Sequence, residues 1–176
     1  MSDSMGKAVF EAARYGNEAE LTRLIGLGGN VNWRNPDVHG GTALMYASIN
    51  GHEGCVCILL ASEAIEVNAT EVNRWTALHY AAIEGRLAIA KRLLEGGADP
   101  TLGNNVGMTA LDYARREGKR AKSEVVALLS EPRDWKAEAC WKAAANKAKA
   151  AFARLGFGLA ILYLLHMARI AVAPPE

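Results

Sequence analysis

Cysteine is scarce in this 176-residue chain: there are three, an odd number. That excludes a disulfide scaffold and points to a reducing compartment. An excess of either charge is also missing. Lys and Arg number 20 against 19 Asp and Glu, for a net charge of +1. The balance is uneven along the chain. From Pro132 onward seven basic residues face three acids, so this stretch carries +4 and residues 1–131 carry −3. A mildly acidic body lacks the basic face that phosphate binding needs, so no nucleic-acid partner is expected. The opening MSDSMGKAVF has no apolar core of a signal peptide, and none is expected. Chemistry-bearing motifs are absent too. Gly118-Lys119 lacks the flanking residues of a phosphate loop, and no serine sits in a nucleophile elbow. Cys55 and Cys57 form C-x-C, but no second Cys/His pair lies at zinc spacing. The expectation is a protein without metal, cofactor or catalytic centre. What the chain does have is 51% apolar and 22% charged residues, the balance of a globular protein rather than a disordered one.

It also has a repeat. TALMYASINGH from Thr42, TALHYAAIEGR from Thr76 and TALDYARREGK from Thr109 align without gaps, with the threonines 34 and then 33 residues apart. Each is followed by a second apolar segment ending in paired leucines: Leu59-Leu60, Leu93-Leu94 and Leu128-Leu129. A degenerate copy, VFEAARYGNEAELTRLIGLGGNVN, precedes them, with Leu24-Ile25 in the paired slot. The threonines stand where a helix N-cap is wanted, since a hydroxyl takes an otherwise orphan N–H. Gly51, Gly85 and Gly118 then close the short helix as left-handed stops, and a second helix follows, such as Leu87 to Glu95. Two short antiparallel helices cannot bury their apolar faces alone. Stacked copies can, and this predicts an all-α solenoid.

The pattern resembles the ankyrin repeat. TALHYAAIEGRLAIAKRLLEGGADP from Thr76 matches that family nearly position by position, with Ala77 in place of the usual Pro and Arg86 in place of the usual His. The fold class expected is all-α: an ankyrin-repeat solenoid over residues 1–131, with repeats at about 5–36, 37–70, 71–103 and 104–131, and a C-terminal helical extension. The resemblance implies that His79 hydrogen-bonds neighbouring turns rather than acting as a base; Met45 and Asp112 fill its slot in the other copies. It also implies a non-enzymatic module that binds another protein on its concave side. The turn tips there map to Val38, His39 and Gly41, to Val72, Asn73 and Trp75, and to Asn105, Val106 and Met108. The first-helix ends map to Arg14 and Tyr15, Ile49 and Asn50, Ile83 and Glu84, Arg116 and Glu117. Apolar and aromatic residues recur at these slots, as they do in interface centres. Trp33 joins the candidates because a loop tip rarely needs an indole. The resemblance does not name the partner.

Pro132 ends the last repeat, and an Ala/Lys-rich stretch, 132–154, reads as a helix or linker beginning near Asp134. From Leu155 to Ala173 nineteen residues are interrupted only by His166 and Arg169. As a helix they would span roughly 28 Å, against ~30 Å for a hydrocarbon core. Lys142, Lys147, Lys149 and Arg154 precede the run with no intervening acid, as on a cytosolic flank. Arg169 opposes insertion by ~2.5–3.5 kcal/mol at mid-bilayer. Three readings stand: a membrane tail anchor on the cytoplasmic side of an intracellular membrane, a helix packed on the repeat end or on a second copy, and a partner-dependent segment. The first makes the protein a tethered adaptor or scaffold. The second makes it a soluble regulatory inhibitor whose tail caps the stack.

Overall fold

A computed structural model describes residues 2–116 and 120–130, all within one compact unit, Met1–Lys136. Eight helices run through the described residues: α1 Ser2–Arg14, α2 Glu18–Gly26, α3 Ala43–Asn50, α4 Glu53–Leu60, α5 Ala77–Ile83, α6 Leu87–Glu95, α7 Ala110–Arg116 and α8 Arg120–Ser130. Helices of 7–13 residues are marginal alone in water, so their stability comes from stacking. Each odd-numbered helix pairs with the even one that follows it. The odd helices α1, α3, α5 and α7 pack in succession as one layer, and α2, α4, α6 and α8 form the other. This is the expected all-α solenoid of four helix pairs. The stretch 132–154 and the apolar run 155–173 lie outside the described residues.

The recurring residues set each helix start. Thr42, Thr76 and Thr109 accept at Oγ1 from the N–H three residues on, at 3.4, 3.4 and 3.3 Å. In the last two repeats the third residue answers. His79 Nδ1 accepts from the Thr76 N–H at 3.2 Å, and Asp112 Oδ2 accepts from the Thr109 N–H at 2.8 Å, which closes a capping box. The glycine expected at each helix end is left-handed where it is described: Gly51 at φ 83 and Gly85 at φ 67. Gly118 lies outside the described residues. The equivalent glycine of the degenerate first repeat, Gly16, has φ 75.

The paired leucines pack against the core, with Leu60 and Ile25 only half-buried. Leu59, Leu93 and Leu94 are fully buried, as are Leu44, Leu78 and Ile89. Cys55, in the Ile89 slot, is buried with them, and burial followed by the nearby Glu18 charge pushes its thiol up.

Neighbouring repeats are also joined by polar contacts. Asn32 Nδ2 donates to the Ala64 carbonyl at 2.6 Å, and its Oδ1 accepts from the Glu66 N–H at 2.9 Å. One repeat on, Asn68 repeats the pattern with the Gly97 carbonyl at 3.1 Å and the Asp99 N–H at 2.8 Å. A side-chain amide carries donor and acceptor together, so one residue satisfies a carbonyl and an N–H two residues apart in the next turn.

Candidate protein-binding face

Three hairpin fingers project between the helix pairs. Each is closed by a backbone bond: Asn35 N to Gly41 O at 3.0 Å, Glu71 N to Trp75 O at 3.1 Å, and Asn104 N to Met108 O at 2.9 Å. Each turns back through a left-handed residue, at Gly40, Arg74 and Gly107. The first finger is two residues longer, takes a 3-10 turn over Pro36–Val38, and holds a second left-handed residue, His39. A buried side chain props each finger from inside. Asn35 Oδ1 accepts from Asp37 N at 2.9 Å. Asn104 Oδ1 accepts from Val106 N at 3.1 Å and Met108 N at 3.0 Å. In the middle finger the buried Glu71 does this work, accepting from Asn73 N at 2.9 Å and Trp75 N at 3.3 Å. Adjacent fingers are stitched together by Val72 N to His39 O and Asn105 N to Asn73 O, both at 3.0 Å. With the fingers held by these bonds, the side chains of Val72 and Val106 face outward.

The candidate residues fall into two groups. At the finger tips Val72 and Val106 are 73% and 69% exposed, among the most exposed large apolar side chains of the described residues. His39, Asn73 and Asn105 are exposed beside them, while Val38 and Met108 are half-buried. At the helix ends Tyr15 is 71% exposed. Asn50, Glu84 and Arg116 are exposed, and Arg14, Ile49 and Ile83 half-buried. Glu117 lies outside the described residues. Arg14 stacks over Tyr15 and Tyr46, its guanidinium carbon 5.6 Å from each ring centroid.

The structure gives three candidates work inside the fold. Trp33 is laid along α1 rather than at a tip: its ring packs edge-on against Phe10 at 5.9 Å, and a Cβ on Gly6 would stand 2.6 Å from it. A loop indole reads as a binding residue only until the glycine that receives it, 27 positions earlier, is brought alongside. Trp75 is half-buried between Tyr80 and Tyr113, at 5.1 and 4.5 Å between centroids. The Asn50 amide donates to the Arg14 carbonyl at 2.8 Å, so it joins α3 to the end of α1.

Two further features lie beside these candidates. Tyr46, Tyr80 and Tyr113 stand four residues after each capping threonine and form a half-buried row on α3, α5 and α7. Burial, then the charges of Glu71 and Tyr46, hold the Tyr80 hydroxyl up at about 12. The second is Glu71, which stands in the slot of Asn104, five residues before the capping threonine; alignment of the fingers would have found it.

Both ring nitrogens of His79 are engaged, as the family resemblance implied. With Nδ1 accepting from Thr76, Nε2 carries the proton and donates to the Met108 carbonyl at 3.1 Å. Burial pushes its pKa down against that Met108 bond. Among the described residues no three His, Cys, Asp or Glu side chains are placed to hold a metal ion. No helix among them is long and apolar enough to cross a membrane.

Comparison with known proteins agrees with this geometry. A family model described as ankyrin repeats in three copies matches residues 4–71 and again 66–139. The chain belongs to the ankyrin repeat family, whose repeats are protein–protein interaction modules. It is 35% identical over 154 residues to a mitochondrial disaggregase of Bos taurus, covering 68% of this chain and 22% of that protein. It is 35% identical over 134 residues to the E3 ubiquitin-protein ligase Ufd4 of Drosophila melanogaster, covering 76% of this chain and 5% of the ligase. The human SH3 and multiple ankyrin repeat domains protein 2 is 34% identical over 104 residues, covering 59% of this chain and 6% of that one. The chain thus spans about a fifth or less of the length of these relatives.

Proposed function

We propose that this chain is an adaptor or scaffold. It holds another protein on the face made by the finger tips and the ends of α1, α3, α5 and α7, and carries out no reaction of its own. The observation that carries this reading is the exposure of Val72 and Val106 on fingers whose backbone and props are already hydrogen-bonded. Apolar groups on a pre-organised frame lose little conformational freedom when a partner covers them, so their burial contributes to affinity. Tyr15 and Arg116 add the aromatic and arginine character common at energetic centres of interfaces. The apolar run 155–173 and the basic residues before it support a second element of the reading. They would hold the repeats at the cytoplasmic face of an intracellular membrane.

The test of the binding face is affinity capture from cells with the full chain and a Tyr15→Ala, Val72→Asp, Val106→Asp variant. The expected result is that specific partners disappear with the variant while its helical circular dichroism and melting temperature stay unchanged. Partners kept in full would move binding to another surface. The tether is tested separately by carbonate extraction of the full chain and of residues 1–150. A full chain washed off the membranes as readily as the shorter one would refute it.

A further inference from the structure

Asn50-Gly51 is the one Asn-Gly step in the chain. Glycine offers no side chain to hinder attack by its own backbone nitrogen on the preceding asparagine, which makes the step chemically labile in an unfolded chain. In the fold this step ends α3 and carries a join between the first two repeats. We propose that Asn50 is a deamidation site held in check by the repeat stack, so that its conversion records, and then perpetuates, opening of the first repeat pair.

The chemistry needs only water. The Gly51 backbone nitrogen, losing its proton, attacks Asn50 Cγ; the side-chain nitrogen leaves as ammonia, and a five-membered succinimide forms. Water then opens the ring at either carbonyl to give aspartate or isoaspartate.

Several contacts hold these atoms back. The attacking Gly51 N–H donates to the Ala47 carbonyl at 3.1 Å, and the His52 N–H shares that carbonyl at 2.9 Å. The leaving amide of Asn50 donates to the Arg14 carbonyl at 2.8 Å. His52 Nε2 reaches the same carbonyl at 3.1 Å, and its ring lies against Gly16. Arg86, the residue in the His52 slot one repeat on, lies against Gly51, where a Cβ would be 2.9 Å from its guanidinium carbon. Asn50 itself is exposed, so water reaches it as soon as the last turn of α3 opens. The reaction therefore waits on local opening rather than on global unfolding.

Conversion also removes the means of closing again. The amide donor facing the Arg14 carbonyl becomes a carboxylate, and two acceptors then face each other where a hydrogen bond had joined α3 to α1. Isoaspartate further lengthens the backbone at the helix end. The inference holds whether or not this face binds a partner.

The experiment is peptide mapping by mass spectrometry of the full chain aged in mildly alkaline buffer across a urea series. Hydrogen exchange of the Gly51 N–H is read in parallel. In the unfolded chain Asn50 should convert ahead of the other asparagines. In native buffer it should convert roughly tenfold or more slowly, because opening costs local free energy. At low urea its rate should rise together with Gly51 exchange. An equal rate in the folded and unfolded chain would overturn the control by the stack, and no conversion in the unfolded chain would overturn the site itself. An Asn50→Asp variant isolates the consequence. It should melt several degrees below the wild type, whereas an unchanged melting point would overturn the proposal that conversion perpetuates opening.

Discussion

Leu93→Ala probes the stacking most directly. Leu93 is fully buried on α6, the helix that packs against α4 on one side and α8 on the other. The change deletes three carbons; at roughly 0.8 kcal/mol per buried methylene the transfer term alone is about 2.4 kcal/mol. The cavity adds about 24 cal/mol for each Å3 that does not collapse, and leucine-to-alanine changes in packed cores cost ~2–5 kcal/mol in total. Short helices held by the packing of α6 against α4, α5 and α8 cannot move far to fill the space, so a total near ~3 kcal/mol is expected. In a repeat array stability is the sum of repeat and neighbour-interface terms. The loss should therefore fall on the contacts of the third repeat with the second and fourth, and broaden the transition as well as lower its midpoint. Urea unfolding followed by circular dichroism, with hydrogen exchange to localise the change, measures both. A loss below about 1 kcal/mol, with α6 amides protected as before, would refute the assigned register and the packing logic built on it.

Two further outcomes follow from named contacts. His79 has a folded pKa below its ordinary 6.5, with burial as the main cause. The unfolded chain therefore takes up the proton first, and the contribution of His79 is complete above pH 6.5 and lost as pH falls toward the lower folded value. Unfolding measured from pH 7.5 to 5 should show this decline, and His79→Gln should flatten it; an unchanged slope would assign the acid sensitivity to other groups. Gly51→Ala forces a side chain into a backbone at φ 83 and against Arg86. The left-handed conformation costs roughly 1–2 kcal/mol, and calorimetry should show at least that. Adding Arg86→Ala should restore only the steric share of the loss, so complete recovery would argue against backbone strain.

The legible part of the fold was local. Thr76 caps the helix that begins one residue later, and Gly51 and Gly85 take the left-handed turn required within a few residues of each helix end. In the second and third repeats the first leucine of the pair stands seventeen residues after the capping threonine, so periodicity marks Leu59 and Leu93 as core, while two extra residues precede Leu128-Leu129 in the fourth. The finger tips were legible for the same reason: Val72 and Val106 belong to turns whose position follows from counting between capping threonines. What could not be read was any contact whose two ends lie in different repeats. Trp33 looked like a tip residue because its receiving surface, Gly6 and Phe10, is more than twenty positions away. Asn50 looked like a surface amide because the carbonyl it meets belongs to Arg14. His52 and Arg86 have the same geometric role, each lying on the closing glycine of the preceding repeat, although imidazole and guanidinium share no sequence signature.

Short-range physical chemistry, repeated every 33 or 34 residues, was enough for the sequence by itself to determine the element order, the helix caps and the stacked helical class. The tertiary structure alone decided which polar side chains stay free for a partner and which are spent between repeats. The physical reason is that a hydrogen bond or ring contact depends on distance in space. Each repeat brings its neighbour's atoms within 3 Å of residues more than thirty positions away in the chain, as Asn50 and Arg14 show.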